Sequence, residues 1–525
     1  MSAAQLQPHA KVSTKTLSLS AWAAACLVAM AGLPLAASAA DAAAGVDAGQ
    51  PVASQPVELA AADAAAPVAA AADAKPVAPA VSEAKPTSYY VERRSYGTRR
   101  VTEPPSYVKQ LNQTWLGKVE GFESIDWLDI GLDHRTRFEF RDNDFRRNVN
   151  HVDQPFLVRT RAYLAVKNKF DPLRFTVEIS DARRFNGDFP RDVRDSNFQE
   201  PIQLYGELFF KQTPVADKQL SVKFGRQAFE YTDRRLLARN EFRNTTNNFD
   251  GIRVTLGKQA DAWQVDGLLL QPILRDDNGF DKRDKANTLI GVIGDYRGIS
   301  QYITLQPLYL VLKQDGNKAA NGVEREIHTI GLRAYGIVGK TGFDYDFSYN
   351  RQEGNDGPRK HDALGYTGEL GYTFKHAWKP RLSAGWNFGS GDDNPTDQQS
   401  GRFDRLFGFA RPFSQNDYFQ YENVEATKVR FELTPTKELQ WDAGFNWYSL
   451  NSATDRWNNA GLRDTTGQSG TYVGHEFDTR LLWTQSRYFQ TELLYAYFKS
   501  GTFNENAGRG GTSNLVFAQF TFSVF

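Results

Sequence analysis

From Trp127 to the C-terminus the sequence is built of segments in which apolar and charged residues alternate with a period of two. Between positions 129 and 141 the even places include Ile130, Leu132, Phe138 and Phe140, whereas the odd ones include Asp129, Asp133, Arg135, Arg137, Glu139 and Arg141. Successive side chains of a strand point to opposite faces, so such a segment turns one face to an apolar phase and the other to water. The pattern recurs with Phe156, Val158, Ala162, Leu164 and Val166 against Arg159, Arg161, Lys167 and Lys169, and again with Phe343, Tyr345, Phe347 and Tyr349 against Asp344, Asp346, Ser348 and Asn350. Val429, Phe431 and Leu433 likewise oppose Lys428, Arg430 and Glu432.

Soluble sandwiches also alternate, so connection lengths decide. The sequence yields about 18 candidate strands, with tight turns near Asp171-Pro172, Arg297-Gly298, Gly339-Lys340, Ala377-Trp378, Pro435-Thr436 and Ser486-Arg487 and long polar loops between them. Short turns at one end and long loops at the other predict an all-β, transmembrane antiparallel β-barrel of the bacterial outer-membrane kind. Beyond the N-terminus no run offers the roughly 20 apolar residues that a spanning helix needs. Aromatic residues at segment ends (Trp127, Phe140, Trp378, Trp386, Trp441, Trp447, Tyr488) suit interfacial girdles. A cylinder of about 18 strands leaves an aqueous lumen, which predicts a channel. In the last strand the apolar face is Val516, Ala518, Phe520, Phe522 and Val524, leaving Phe525 one place out of phase.

Residues 1–39 read as a signal peptide, with Lys11 and Lys15, an apolar core and Ala37-Ser38-Ala39 as the cleavage site. The single cysteine, Cys26, sits inside that core in a poor lipobox context. Residues 40–125 read as an Ala/Pro-rich disordered periplasmic linker, and 126–525 as the barrel. Outer-membrane lipid is the expected surround; no cofactor and no nucleic-acid partner are expected.

The inward charges of the first two strands, Arg135, Arg137, Arg141, Arg159, Arg161, Lys167 and Lys169 against Asp129, Asp133 and Glu139, make a net positive wall. Guanidinium forks there bind carboxylates bidentately, which suits an anion path. Arg333, Lys428 and Arg430 add cations from later segments. The alternative is that these residues pair with lumenal acids such as Asp344, Asp346, Asp442, Glu476, Asp478 and Glu492 and only keep the wall wet.

A second basic concentration follows a strand end: Phe224-Gly225-Arg226-Gln227, then Tyr231, Asp233-Arg234-Arg235-Leu236, Phe242-Arg243-Asn244 and Phe249-Asp250-Gly251-Ile252-Arg253. This stretch, with Trp386-Asn387-Phe388-Gly389-Ser390-Gly391-Asp392-Asp393-Asn394-Pro395 followed by Phe403 and Leu406-Phe407, resembles the alginate export family of outer-membrane proteins. The resemblance implies an 18-stranded barrel conducting a polyuronate from periplasm to exterior, with Arg226, Arg234, Arg235, Arg243 and Arg253 as candidate carboxylate contacts. An exporter would also need a periplasmic scaffold, which the linker could reach. A general or small-carboxylate porin differs only in its anionic oligosaccharide or small-acid solute.

Asp392, Asp393, Asn394 and Asp397 could offer oxygens to calcium, although their spacing misses the EF-hand pattern. No G-x-S-x-G, H-E-x-x-H or P-loop motif is present, and His134 and His475-Glu476 lack an accompanying nucleophile or ligand set. An enzyme is therefore not expected.

Overall fold

The computed structural model describes residues 102–525 apart from 148–149, 215–216 and 278; the expected signal peptide and the linker as far as residue 101 lie outside the described residues. Alternation turns into eighteen long strands: β1 Leu128–Asp142, β2 Phe156–Val166, β3 Leu173–Phe185, β4 Asn197–Phe210, β5 Leu220–Gln227, β6 Phe249–Leu256, β7 Trp263–Leu274, β8 Asn287–Ser300, β9 Ile303–Gln314, β10 Arg325–Ile337, β11 Phe343–Asp356, β12 Arg359–Thr373, β13 Arg381–Gly389, β14 Val424–Leu433, β15 Leu439–Ser449, β16 Tyr472–Thr484, β17 Phe489–Ser500 and β18 Thr512–Ser523. Each pairs antiparallel with its successor, and β1 closes the cylinder on β18, with Asp133 opposite Ser523 and Asp142 opposite Asn514. Closure leaves no sheet edge, so the ladder satisfies the backbone groups that lipid cannot.

Connections 167–172, 211–219, 257–262, 301–302, 338–342, 374–380, 434–438 and 485–488 form one end, and the longer 143–155, 186–196, 228–248, 275–286, 315–324, 390–423, 450–471 and 501–511 the other. Five of the six tight turns expected from the sequence fall in the first set, and there are two differences. The turn expected at Arg297-Gly298 lies at 301–302, because β8 and β9 keep pairing, through an irregularity, as far as Ser300 and Ile303. At the long-loop end, residues 357–358 make a tight hairpin.

The period-two apolar face points outward. Ile290 and Val292, Tyr309, Ile330 and Leu332, Phe347 and Tyr349, and Leu370 are exposed large apolar side chains on the successive strands β8–β12, a continuous band that water would not tolerate and lipid requires. Trp378, Trp386 and Trp447 are exposed as girdle residues, whereas Phe140 is buried.

The interior is not hollow along its height. Connections 228–248 and 390–423 fold inward, and their Phe229, Tyr231, Leu236, Leu237, Phe403, Phe413, Tyr418, Phe419 and Tyr421 form one buried cluster with inward residues of β7–β10 (Leu268, Leu270, Leu289, Ile293, Leu308, Leu310, Leu312, Ile327). Those strands carry apolar residues on both faces, as strands covered on both sides do.

The reading of 40–125 as linker needs correction at its end. From Thr102 the chain is folded against the barrel: a short strand, Val108–Gln110, pairs with β1 at Gly131–Asp129, continuing the row that β18 leaves at Ser523. Tyr107 and Val108 are buried with Tyr163 and Ala165, and Trp115 stacks on Phe525 at 6.1 Å while its indole N–H donates to the Val524 carbonyl at 3.2 Å. Aromatic and aliphatic residues after the last prolines supply the packing that the Ala/Pro tract lacks.

Within the loop cluster Phe419 stacks on Tyr448 with ring centroids 3.9 Å apart. Removing such a ring costs about 3–5 kcal/mol. Phe419→Ala should release the 390–423 connection while the barrel persists: limited proteolysis cuts within 390–423, and unheated protein keeps its fast, heat-modifiable migration in detergent gels.

Candidate functional site

The wall arginines of β1 and β2 arise from a single register. Arg135 stands directly opposite Arg159, and Asp133 opposite Arg161. Like charges facing each other across a ladder repel, so the pair needs an anion or well-placed acceptors. The inward-folded 228–248 connection provides both. Arg135 donates to the Glu241 carbonyl at 2.8 Å and to the Arg243 carbonyl and Asn244 Oδ1 at 3.0 Å, and Arg137 donates to the Phe242 carbonyl at 2.8 Å. The Glu241 carboxylate lies against three guanidinia, those of Arg161 at 2.6 Å, Arg159 at 3.3 Å and Arg239 at 2.5 Å. Arg239 also reaches Glu178 at 2.5 Å.

The other sequence-selected cations also meet acids of this chain. Arg333 forms a two-bond fork with Asp346 at 2.6 and 2.8 Å. Arg235 pairs with Asp233 at 2.6 Å and Arg234 with Glu230 at 3.1 Å. Lys428 pairs with Glu369 at 2.6 Å, and Arg430 bridges Asp442 and Asp478. Arg253 takes Glu103 at 2.8 Å and lies 3.7 Å from Asp266.

Arg226 is placed differently from the expectation. It shares a strand face with exposed Phe224, so it lies on the outward side near the long-loop end, held by Glu200, by Asp250 at 3.0 Å and by the Asp281 carbonyl at 3.3 Å. Its phase, two residues from Phe224, excludes it from the lumen wall.

Arg243 anchors one inward connection to the other through Asp417 at 3.0 Å, and Arg146, itself 2.7 Å from Asp144, joins at 3.3 Å. Burial raises the Asp417 carboxyl, but the Arg243 and Arg146 guanidinia outweigh it and hold the group below the ordinary carboxylate range. Asp144 behaves alike, with burial opposing and Arg146 and Arg141 prevailing.

Glu241, Glu178, Asp417 and Glu103 were missed by sequence reasoning. A signal existed for the first: a connection carrying Phe229, Tyr231, Leu236, Leu237 and Phe242 is too apolar to lie in solvent.

The calcium set is not assembled. Asp392 is bound to Arg359 at 2.8 Å, Asn394 Oδ1 accepts from the Thr396 amide at 3.2 Å, and Asp397 Oδ1 accepts from the Gln399 amide at 2.8 Å. These are turn contacts and a salt bridge, and among the described residues no group of three or more metal-ligating side chains occurs. His134 bonds Thr160 at 2.9 Å, and His475 stacks on Phe445 at 5.4 Å while neighbouring Glu476 points the other way, to Ser414 and Asn416.

An alginate export family model matches residues 126–519, which is the whole barrel but its last residues. The chain belongs to the alginate export family. Its fold is similar to Pseudomonas aeruginosa OccK3 (OpdO), at 13% identity and TM-score 0.51 over 75% of this chain and 95% of that one. OccD3 (OpdP) of the same organism is similar at 11% and 0.51, over 77% and 91%, and OpdQ at 11% and 0.51, over 75% and 97%. No curated protein matches. This alginate export family member is a bacterial outer-membrane channel, an 18-stranded closed barrel.

Because the Asp417 carboxyl is depressed on folding, its contribution is fully present above the ordinary aspartate value of about 3.9 and is lost as pH falls through the lower folded value. Amide exchange in 390–423 should therefore stay protected from neutral pH down to about pH 4 and rise below it. Asp417→Asn leaves the Arg243 guanidinium without its carboxylate and Arg146 with Asp144 alone, costs about 3 kcal/mol, and should show the unprotected pattern already at neutral pH.

Proposed function

We propose that the channel passes anionic solutes bearing carboxylates by passive, electrostatically guided diffusion, a polyuronate such as alginate being one candidate. One observation carries the reading: Arg135 faces Arg159 in register, and the guanidinia of Arg159, Arg161 and Arg239 converge on one carboxylate, that of Glu241, while Arg135 is held by the Glu241 carbonyl. A wall built to hold a carboxylate of the chain is chemically able to hold one from solution, by the same forks. Many weak sites of this kind let a solute enter and leave without being trapped.

A second reading, a porin for small carboxylates, is favoured by the inward packing of 228–248 and 390–423 into a buried cluster. That packing narrows the lumen and suits a small acid better than a polymer. Competition of the single-channel current by oligouronates against small monocarboxylates separates the two readings.

In planar bilayers the purified protein should prefer chloride over potassium at low salt. The preference should fall as ionic strength rises, since the Debye length shrinks from about 30 Å at 0.01 M to about 3 Å at 1 M. Arg135→Gln and Arg159→Gln should each lower the permeability ratio. Cation preference that neither substitution changes would remove the anionic reading.

A further inference from the structure

Three residues in from the short-turn, periplasmic ends of β5 and β6, Arg253 stands opposite Lys223 in register, a second like-charge pair. Both point inward: Phe224, Ile252 and Val254, their sequence neighbours, are the exposed outward residues. The carboxylate that reaches both cations comes from neither a wall strand nor a loop of the opposite end. It is Glu103, from the segment preceding the first strand. Its two carboxylate oxygens accept from the two terminal nitrogens of Arg253, Oε1 from Nη1 at 3.2 Å and Oε2 from Nη2 at 2.8 Å, and the Lys223 ammonium stands 3.4 Å from Oε2. This is the parallel two-bond geometry in which arginine takes up a free carboxylate. Acids nearby on the wall leave the fork open to it: Asp266 is 3.7 Å from Arg253 Nε, and Glu207 is occupied by Ser221. Phe229 and Tyr231 of the inward connection flank the Arg253 guanidinium at 5.2 and 5.8 Å.

The Glu103 side chain retains 30% of its exposure while Arg253 is buried to 8%, so the acid approaches a buried cation from the open side. Four residues on, Tyr107 donates to Glu178 at 2.5 Å, the same carboxylate oxygen that Arg239 of the inward connection holds. The segment is thus a strap pinned at Glu103 and Tyr107 across the periplasmic side of the lumen.

We propose that Arg253 and Lys223 form a carboxylate-binding site at the periplasmic entrance, and that Glu103 occupies it as an internal competitor which an incoming carboxylate-bearing solute displaces. This rests on the reading of the lumen as an anion path and adds to it a defined entry step and a resident rival. Displacement exchanges one carboxylate for another on the same fork, so the buried cations are never left bare, and the cost of entry is the release of the strap rather than the desolvation of two charges.

The test uses the full-length protein in planar bilayers, with tetragalacturonate added from the periplasmic side as the probe. Glu103→Gln keeps the shape and removes the charge. If the strap holds the site about nine-tenths of the time, the probe should block Glu103→Gln at about tenfold lower concentration than the parent. Addition of Arg253→Gln to Glu103→Gln should abolish the gain, and heat-modifiable migration of each variant reports an intact barrel. Equal block of parent and Glu103→Gln overturns the internal-competitor proposal while leaving the anion path standing. A gain that survives Arg253→Gln overturns the assignment of the site. Absence of block in every protein, together with loss of chloride preference, overturns both the proposal and the reading on which it rests.

Discussion

A chain crossing lipid must satisfy its backbone polar groups within itself, and the pairing of β1 with β18 is the contact that achieves this for the whole cylinder. The remaining features follow from that closure. Period-two geometry then obliges every strand to present one side chain in two to the interior, and in β1 most of those side chains are charged, with Arg159 and Arg161 beside them on β2. Inside a wall of low polarizability, charges need partners, and register alone sets Arg135 against Arg159 and Lys223 against Arg253. The strands contribute some of the matching acids, such as Asp346 for Arg333. The rest comes from segments that are not strands: Glu241 and Asp417 from inward connections, and Glu103 from the segment before β1. Filling the lumen is therefore part of how the charged wall is made tolerable.

That division explains what was legible in the sequence. The barrel, its strand number and five of its eight short turns are local properties, written in alternation and in turn residues, and they could be read directly. Partners of the lumenal cations depend on where 228–248 and 390–423 go, a matter of tertiary packing with no periodicity to announce it. Strands β7–β10 show the difficulty: Leu268 and Leu270 or Leu308, Leu310 and Leu312 face inward beside outward Leu269 and Tyr309, so apolar residues on both faces hide the phase. Only the covering loop explains them. The placement of Arg226, by contrast, could have been read: it is in phase with Phe224, and a motif of the family drew attention away from the simpler rule of alternation. The folded stretch after Thr102 was hidden by the Ala/Pro composition upstream, which dilutes Tyr107, Val108 and Trp115 in any average taken over the whole N-terminal region.

The choice between an anion path and a merely wet wall is not a choice between arginines with partners and arginines without. Apart from Lys169, which lies over the Trp127 ring, every cation selected from the sequence has an acid or a carbonyl of this chain against it, yet the partners differ in kind. Asp346 is borne on a strand neighbouring that of Arg333 and cannot leave without breaking the ladder, so that pair is fixed structure. Glu241 and Glu103 are borne on segments whose hold on the barrel is side-chain packing and a handful of hydrogen bonds, and local opening of such segments costs far less than unfolding of the sheet. Glu178 joins the two, since one of its oxygens accepts from both Tyr107 and Arg239. The strap and the inward connection therefore meet at one buried carboxylate oxygen. On the proposed anion path, selectivity is a competition between carboxylates, those of the chain against those of the solute, and the affinity a solute experiences is set as much by the segments that stand in its place as by the guanidinia that receive it.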